Sequence, residues 1–149
     1  MAIKTVWFLS LFFVALALAP AMAHLLALPN KINMPGEQYL IVQQIYRGWA
    51  LLGIVVIGAL LSTLALTIMV RKPPKTFVLV LVAFLCMVGT QVLFWTFTFP
   101  ANQQTHNWTV LPENWLALQR QWEYSHAASA GLNLVAFVAL ILAALSKDE

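Results

Sequence analysis

The chain has 149 residues, of which 62% are hydrophobic and 9% charged, with a mean hydropathy of +0.84. Soluble domains run near half apolar and a quarter charged, so this is a membrane composition and excludes an ordinary soluble globule. The formal charge of +3 comes from 8 basic and 5 acidic residues without a dense basic run, so no nucleic-acid partner is expected, and a single cysteine excludes an intrachain disulfide.

Four apolar stretches follow one another at about residues 6–28, 49–70, 77–99 and 124–145, the last expected to lie in a helix over 113–145. Each is near or above the ~20 predominantly apolar residues needed to cross a ~30 Å hydrocarbon core. The fold class expected is therefore all-α: one domain over residues 1–149, an up-down four-helix membrane bundle with an extended fourth helix. The first stretch also imitates a secretory signal, with Lys4, an apolar run and Ala21-Met22-Ala23. Its apolar character continues through Leu25, Leu26 and Leu28, which favours a retained helix, kinked or loosened near Pro20. Pro29, Asn30, Pro35 and Gly36 break the chain, and a short helical pattern from Glu37 to Arg47 leads into the second stretch. Gly58 and Ser62 within it form a small-xxx-small packing contact. Cys86, inside the third stretch, reads as a small buried hydrophobe. Pro100 is expected to end the third helix, leaving Ala101 to Leu111 as polar loop. Pro112-Glu113 then looks like a helix start, with proline in the first turn and an acid at the positive end of the dipole. A helix from there to Leu145 spans ~50 Å at 1.5 Å per residue, more than a bilayer needs.

Orientation follows from the basic residues. Arg71-Lys72-Pro73-Pro74-Lys75 carries positive charge unopposed, and Lys4 and Lys147 flank the first and last helices. The other links are mixed: Lys31 and Arg47 with Glu37, then Arg120 with Glu113 and Glu123. The positive-inside rule places both termini in the cytoplasm and the two longer links outside, in a plasma (bacterial inner) membrane.

The fourth helix has the most informative pattern. Trp115, Gln119, Trp122, His126, Ser129, Asn133 and Phe137 recur at steps of three and four, so they share one helix face. Histidine and asparagine are costly in hydrocarbon, so that face is expected to look into the bundle. The third stretch shows Gln91, Trp95, Thr98 and Asn102 at similar steps. His24 ends the first stretch, and Gln43 and Arg47 precede the second. All lie in the expected outer half, whereas the inner half is almost purely aliphatic.

This cluster supports three readings. An interfacial belt with structural hydrogen bonds accounts for Trp7, Trp49 and Trp108, and leaves Arg120 and Glu123 as a surface ion pair. A haem held by histidines from different helices is the second, although His24, His106 and His126 show no ligand spacing, and no metal site is expected. The third is a pocket for a hydrophobic aromatic or quinone-like molecule. Its ligand-binding residues would be His24, Arg47, Gln91, Trp95, Asn102, Trp115, Arg120, Trp122 and Asn133, with His126 as catalytic base. No nucleophile elbow or phosphate loop occurs.

The segment Asn114-Trp115 through Arg120-Gln121-Trp122-Glu123-Tyr124-Ser125-His126 resembles the signature of the anthrone oxygenase-like family of small four-helix membrane proteins. Pro100-Ala101-Asn102 and the region of His24 and Pro29-Asn30-Lys31 are similar to it as well, so the resemblance covers most of the chain. Ser129 stands where the family pattern has a basic residue three positions after the histidine. The resemblance implies a membrane bundle and, for some members, oxidation of anthrones by O2 with no cofactor. His126 would then be the base, with Asn102, Trp115, Arg120 and Trp122 around the substrate. Beyond the lipid bilayer and a hydrophobic small molecule, the partners expected are a second copy of the chain or another subunit of a membrane complex.

Overall fold

A computed structural model of the protein describes residues 1–146; Lys147, used above for orientation, lies outside the described residues. The chain forms α1 (Ala2–Lys31), α2 (Gly36–Gln43), α3 (Gly53–Met69), α4 (Pro74–Leu93), α5 (Phe99–Gln104) and α6 (Trp115–Leu145). Short 3₁₀ turns at Gln44–Tyr46 and Trp49–Leu52 lead into α3, and a π-helical turn at Phe94–Thr98 joins α4 to α5. Four stretches are long and apolar enough to cross a membrane: Ala2–Lys31, Trp49–Met69, Pro74–Gln104 and Trp115–Leu145. The protein is a polytopic all-α membrane protein built as a four-helix bundle.

Successive long helices pack side by side, α1 on α3, α3 on α4 and α4 on α6, and α6 returns to α1 to close the ring. At the end where α1 meets the Arg71–Lys75 turn, small residues let the helices approach closely. Ala59, Ala83, Ala136, Ala139 and Ala143 are buried there among Val14, Leu66, Val80 and Leu140. A Cβ on Gly58 would stand 2.8 Å from the Phe13 ring, so glycine sets the α1–α3 distance. Ser62 is buried one turn further on and bonds its own helix at Ala59 O. The opposite surface of the helices carries large apolar side chains such as Phe8, Leu61 and Leu85, all more than half exposed. A bundle that is apolar on its outside has its solvent in lipid.

Three helix ends differ from the sequence reading, two of them where a helix passes a proline. α1 runs through Pro20 and Pro29 to Lys31 rather than breaking at Pro29. Its last carbonyls are covered instead: Gln119 Nε2 on α6 donates to Lys31 O at 3.0 Å. Nor does Pro100 end the third span. The π turn just before it already replaces i−4 bonding with i−5 bonding, so proline enters α5 in its first turn, where an N–H is not required. Close by, the Phe97 carbonyl accepts from Gln121 Nε2 at 2.8 Å. The expected loop from Ala101 therefore begins as helix. α6 starts at Trp115 with Asn114 before it, two residues later than Pro112-Glu113 suggested.

The ends of α1 and α5, the start of α6, and α2 with its 3₁₀ turns form a cap on one end of the bundle. A left-handed turn completes it: His106, Asn107 and Trp108 have φ of 48°, 56° and 61°. Such backbone costs roughly 1–2 kcal/mol per residue. Burial of the Trp108 indole, edge-on to Tyr39 at 4.9 Å, offsets that cost. Asn107 N also donates to Asn102 O at 2.7 Å, and Trp108 N to Thr105 Oγ1 at 3.1 Å.

Candidate functional site

The cap encloses the polar and aromatic cluster, and α6 supplies its wall. The predicted stripe holds: Gln119, Trp122 and Asn133 are buried, and Trp115, His126, Ser129 and Phe137 are half-buried on that face. His24 comes from α1 opposite, because it sits two turns before the end of that helix. The imidazoles of His24 and His126 stack with centroids 4.1 Å apart and planes 18° from parallel. Trp122 closes one side, 4.2 Å from His126 and 5.0 Å from His24. Tyr46 and Trp49 close another, 4.3 Å and 5.5 Å from His24. Gly48, with φ 87°, turns the chain between them, a conformation glycine adopts without strain.

Next to the rings lies a buried ion pair. Lys31 Nζ, on the last residue of α1, is 2.9 Å from Glu123 Oε1 on α6, and the side chains are 3% and 0% exposed. The same carboxylate oxygen accepts from the Tyr39 hydroxyl at 2.8 Å. Lys31 also donates to the Tyr46 hydroxyl at 3.1 Å and stands 4.9 Å and 5.2 Å above the Tyr46 and Trp122 rings. A charge removed from water is tolerated only when paired and hydrogen-bonded, and these contacts meet that condition for the ammonium. Glu123 Oε2 is buried with no hydrogen-bond partner among the described residues. Burial, then the Glu123 charge and its hydrogen bond, push the Tyr39 hydroxyl well above the ordinary tyrosine pKa, so it remains a donor.

The candidate residues do not all meet. His24, Trp122 and His126 form the cluster, and Asn102 joins it by accepting from Trp122 Nε1 at 2.8 Å. Trp115 packs at the rim against the start of α2, where a Cβ on Gly36 would meet its ring at 3.2 Å. Arg47 and Arg120 are exposed. Trp95 is 60% exposed, because the π turn adds a residue to one turn and rotates Trp95 away while Thr98 turns inward to Ser125 Oγ at 2.8 Å. Gln91 bonds its neighbour Thr90, and Asn133 Nδ2 bonds Ser129 O within its own helix, so both stay outside the cluster.

Several residues were read as something else in the sequence, and all of them but Trp7, which packs in the aliphatic core, belong to the site. Glu123 is not the surface partner of Arg120; it turns inward to Lys31. Its position four residues after Gln119, on the stripe, was the signal for that. Lys31 is a buried charge rather than a loop charge. Trp7 and Trp108 are buried, not members of an interfacial belt. Tyr46, placed only in a helical pattern, is the ring that joins the ion pair to the histidines.

Two imidazoles on opposite faces of one haem iron need ring centroids roughly 6 Å or more apart, given metal–nitrogen bonds of ~2 Å. The stacked pair at 4.1 Å does not have that arrangement. No group of three or more His, Cys, Asp or Glu placed to hold a metal ion occurs among the described residues. Two surface concavities lie elsewhere, both between α4 and α6: one of about 490 Å³ beside Lys75 and Leu142, and one of about 400 Å³ beside Phe97 and Arg120. Comparison with protein-family models, curated proteins and solved structures finds no match to the chain.

Proposed function

We propose that the cap end binds a hydrophobic aromatic or quinone-like molecule and that the histidine pair handles its proton, in the manner of a cofactor-independent oxygenase. The observation that carries this reading is the stacked His24–His126 pair, boxed by Trp122, Tyr46 and Trp49 and flanked by the Lys31–Glu123 pair. Planar rings recognise planar rings, and a few convergent polar groups set orientation. Tyr46 and Trp49 are half-buried on short 3₁₀ turns around Gly48, and their rings would swing aside for such a ligand. In this reading the cap faces outward, as the positive-inside rule predicts for a plasma (bacterial inner) membrane.

Anthrone, the substrate class the resemblance implies, illustrates the chemistry. His126 removes a proton from the ring CH2, and the resulting carbanion is oxidised by O2. The CH2 carbon becomes a carbonyl, the second oxygen atom leaves with both hydrogens as water, and the proton on His126 is returned in that step. Lys31 stabilises negative charge developing on the ring oxygen.

The test uses purified protein in mild detergent with anthrone and dissolved O2. Oxygen uptake matched by anthraquinone formation is expected from the native chain and is lost in His126→Ala, with the variant still folded by circular dichroism. Turnover equal in both proteins removes His126 from the role of base. A native chain that neither binds nor oxidises anthrone, and copurifies with another membrane protein, overturns the reading in favour of an accessory subunit.

A further inference from the structure

The smaller of the two concavities has features that the histidine site does not use. Its walls are Leu93 and Phe97 from the third span and Arg120, Gln121, Tyr124, Ser125 and Ala128 from α6. It follows the helix axis. Arg120 and Ala128 are eight residues apart, about 12 Å along α6, and the Gln121–Phe97 hydrogen bond ties the two walls at the Arg120 end. The inner end is apolar. The cap end is cationic: Arg120 is exposed, and it has no carboxylate partner among the described residues because Glu123 is committed to Lys31. The groove lies on the outer surface of the bundle, with Tyr124 57% exposed along its edge.

An apolar trough along a spanning helix, ending at the cap in a guanidinium with no carboxylate partner among the described residues, matches one kind of molecule. We infer that the α4–α6 groove holds an acyl chain of an anionic phospholipid whose phosphate bonds to Arg120. Arginine presents a fork of N–H donors that fits phosphate oxygens in a bidentate manner, whereas a choline headgroup adds a cation and weakens the pairing. The π turn at Phe94–Thr98 is part of the site. It places Phe97 in the wall of the groove, where its carbonyl accepts from Gln121 Nε2 and ties that wall to α6. This inference is independent of the histidine pair.

Native mass spectrometry of the full chain in mild detergent tests it, with phosphatidylglycerol and phosphatidylcholine of identical acyl chains as probes. The native protein is expected to retain one phosphatidylglycerol in preference to phosphatidylcholine. Arg120→Gln is expected to weaken phosphatidylglycerol retention about tenfold, as for loss of one charge-assisted contact, and to leave phosphatidylcholine unchanged. Ala128→Phe, which fills the trough, is expected to weaken both. Equal phosphatidylglycerol retention by the native chain and both variants overturns the inference and shows annular lipid only. So does a disulfide-linked dimer formed by Ala128→Cys in bilayers without lipid retention, which would make the groove an interface between copies of the chain.

Discussion

The two halves of this bundle are held together by different physics. Around Val14, Ala59, Leu66 and Ala136 the helices are joined by close van der Waals contact between small and aliphatic side chains, in a region where lipid tails are as apolar as the side chains themselves. At the cap the connections are polar and long-range: Lys31 to Glu123, Tyr39 to Glu123, Gln119 to Lys31 O, and Trp122 to Asn102. The first half tolerates changes that preserve volume. The second depends on every partner being present, because an unpaired charge or donor has no water to turn to. Chemistry needs convergent polar groups, and among the described residues these gather at the cap.

Single substitutions can break that contrast. The largest effect is expected at the ion pair, where Glu123→Ala should destabilise the protein by about 3–5 kcal/mol by leaving Lys31 buried without a counter-charge. Pairing it with Lys31→Met should recover most of that loss. Unfolding in detergent followed by circular dichroism measures both, and a single variant within about 1 kcal/mol of the native chain would mean that water already reaches the pair. In the aliphatic half, Gly58→Ala should cost about 1–3 kcal/mol, since the added methyl stands 2.8 Å from the Phe13 ring and the α1–α3 contact must open. Combining it with Phe13→Leu should restore stability; an additive loss would show that Gly58 serves another purpose. The smallest effect belongs to the cap: Trp122→Phe keeps most of the ring but removes the Nε1 bond to Asn102, for about 0.5–1.5 kcal/mol. No further loss on adding Asn102→Ala would confirm that the two act as one contact, and independent losses would separate them.

Much of this was legible in one sequence. Apolar length identifies spanning helices because the bilayer has a fixed thickness, and the three- and four-residue steps from Trp115 to Phe137 give the inward face because helical rotation is regular. His126 was chosen as a polar residue too costly to leave in lipid, and His24 for its place near the outer end of the first helix. The misreadings were local inferences overruled by distant partners. Arg120 and Glu123, three apart, look like a surface pair, but the carboxylate lies on the face that meets Lys31 from the far end of the chain. Trp95 fell off its predicted face because a single π turn changes the phase of everything near it, and Pro100 was accommodated for the same reason.

The sequence by itself therefore determined the four spans, their all-α character and the polar face of α6, because these follow from composition and helical period. Tertiary structure alone decided which residues meet. The stacking of His24 on His126, the burial of Lys31 with Glu123, and the turn that carries Trp108 into the cap depend on the docking of segments about a hundred residues apart or on backbone strain balanced by burial. Neither leaves a periodic trace along the chain.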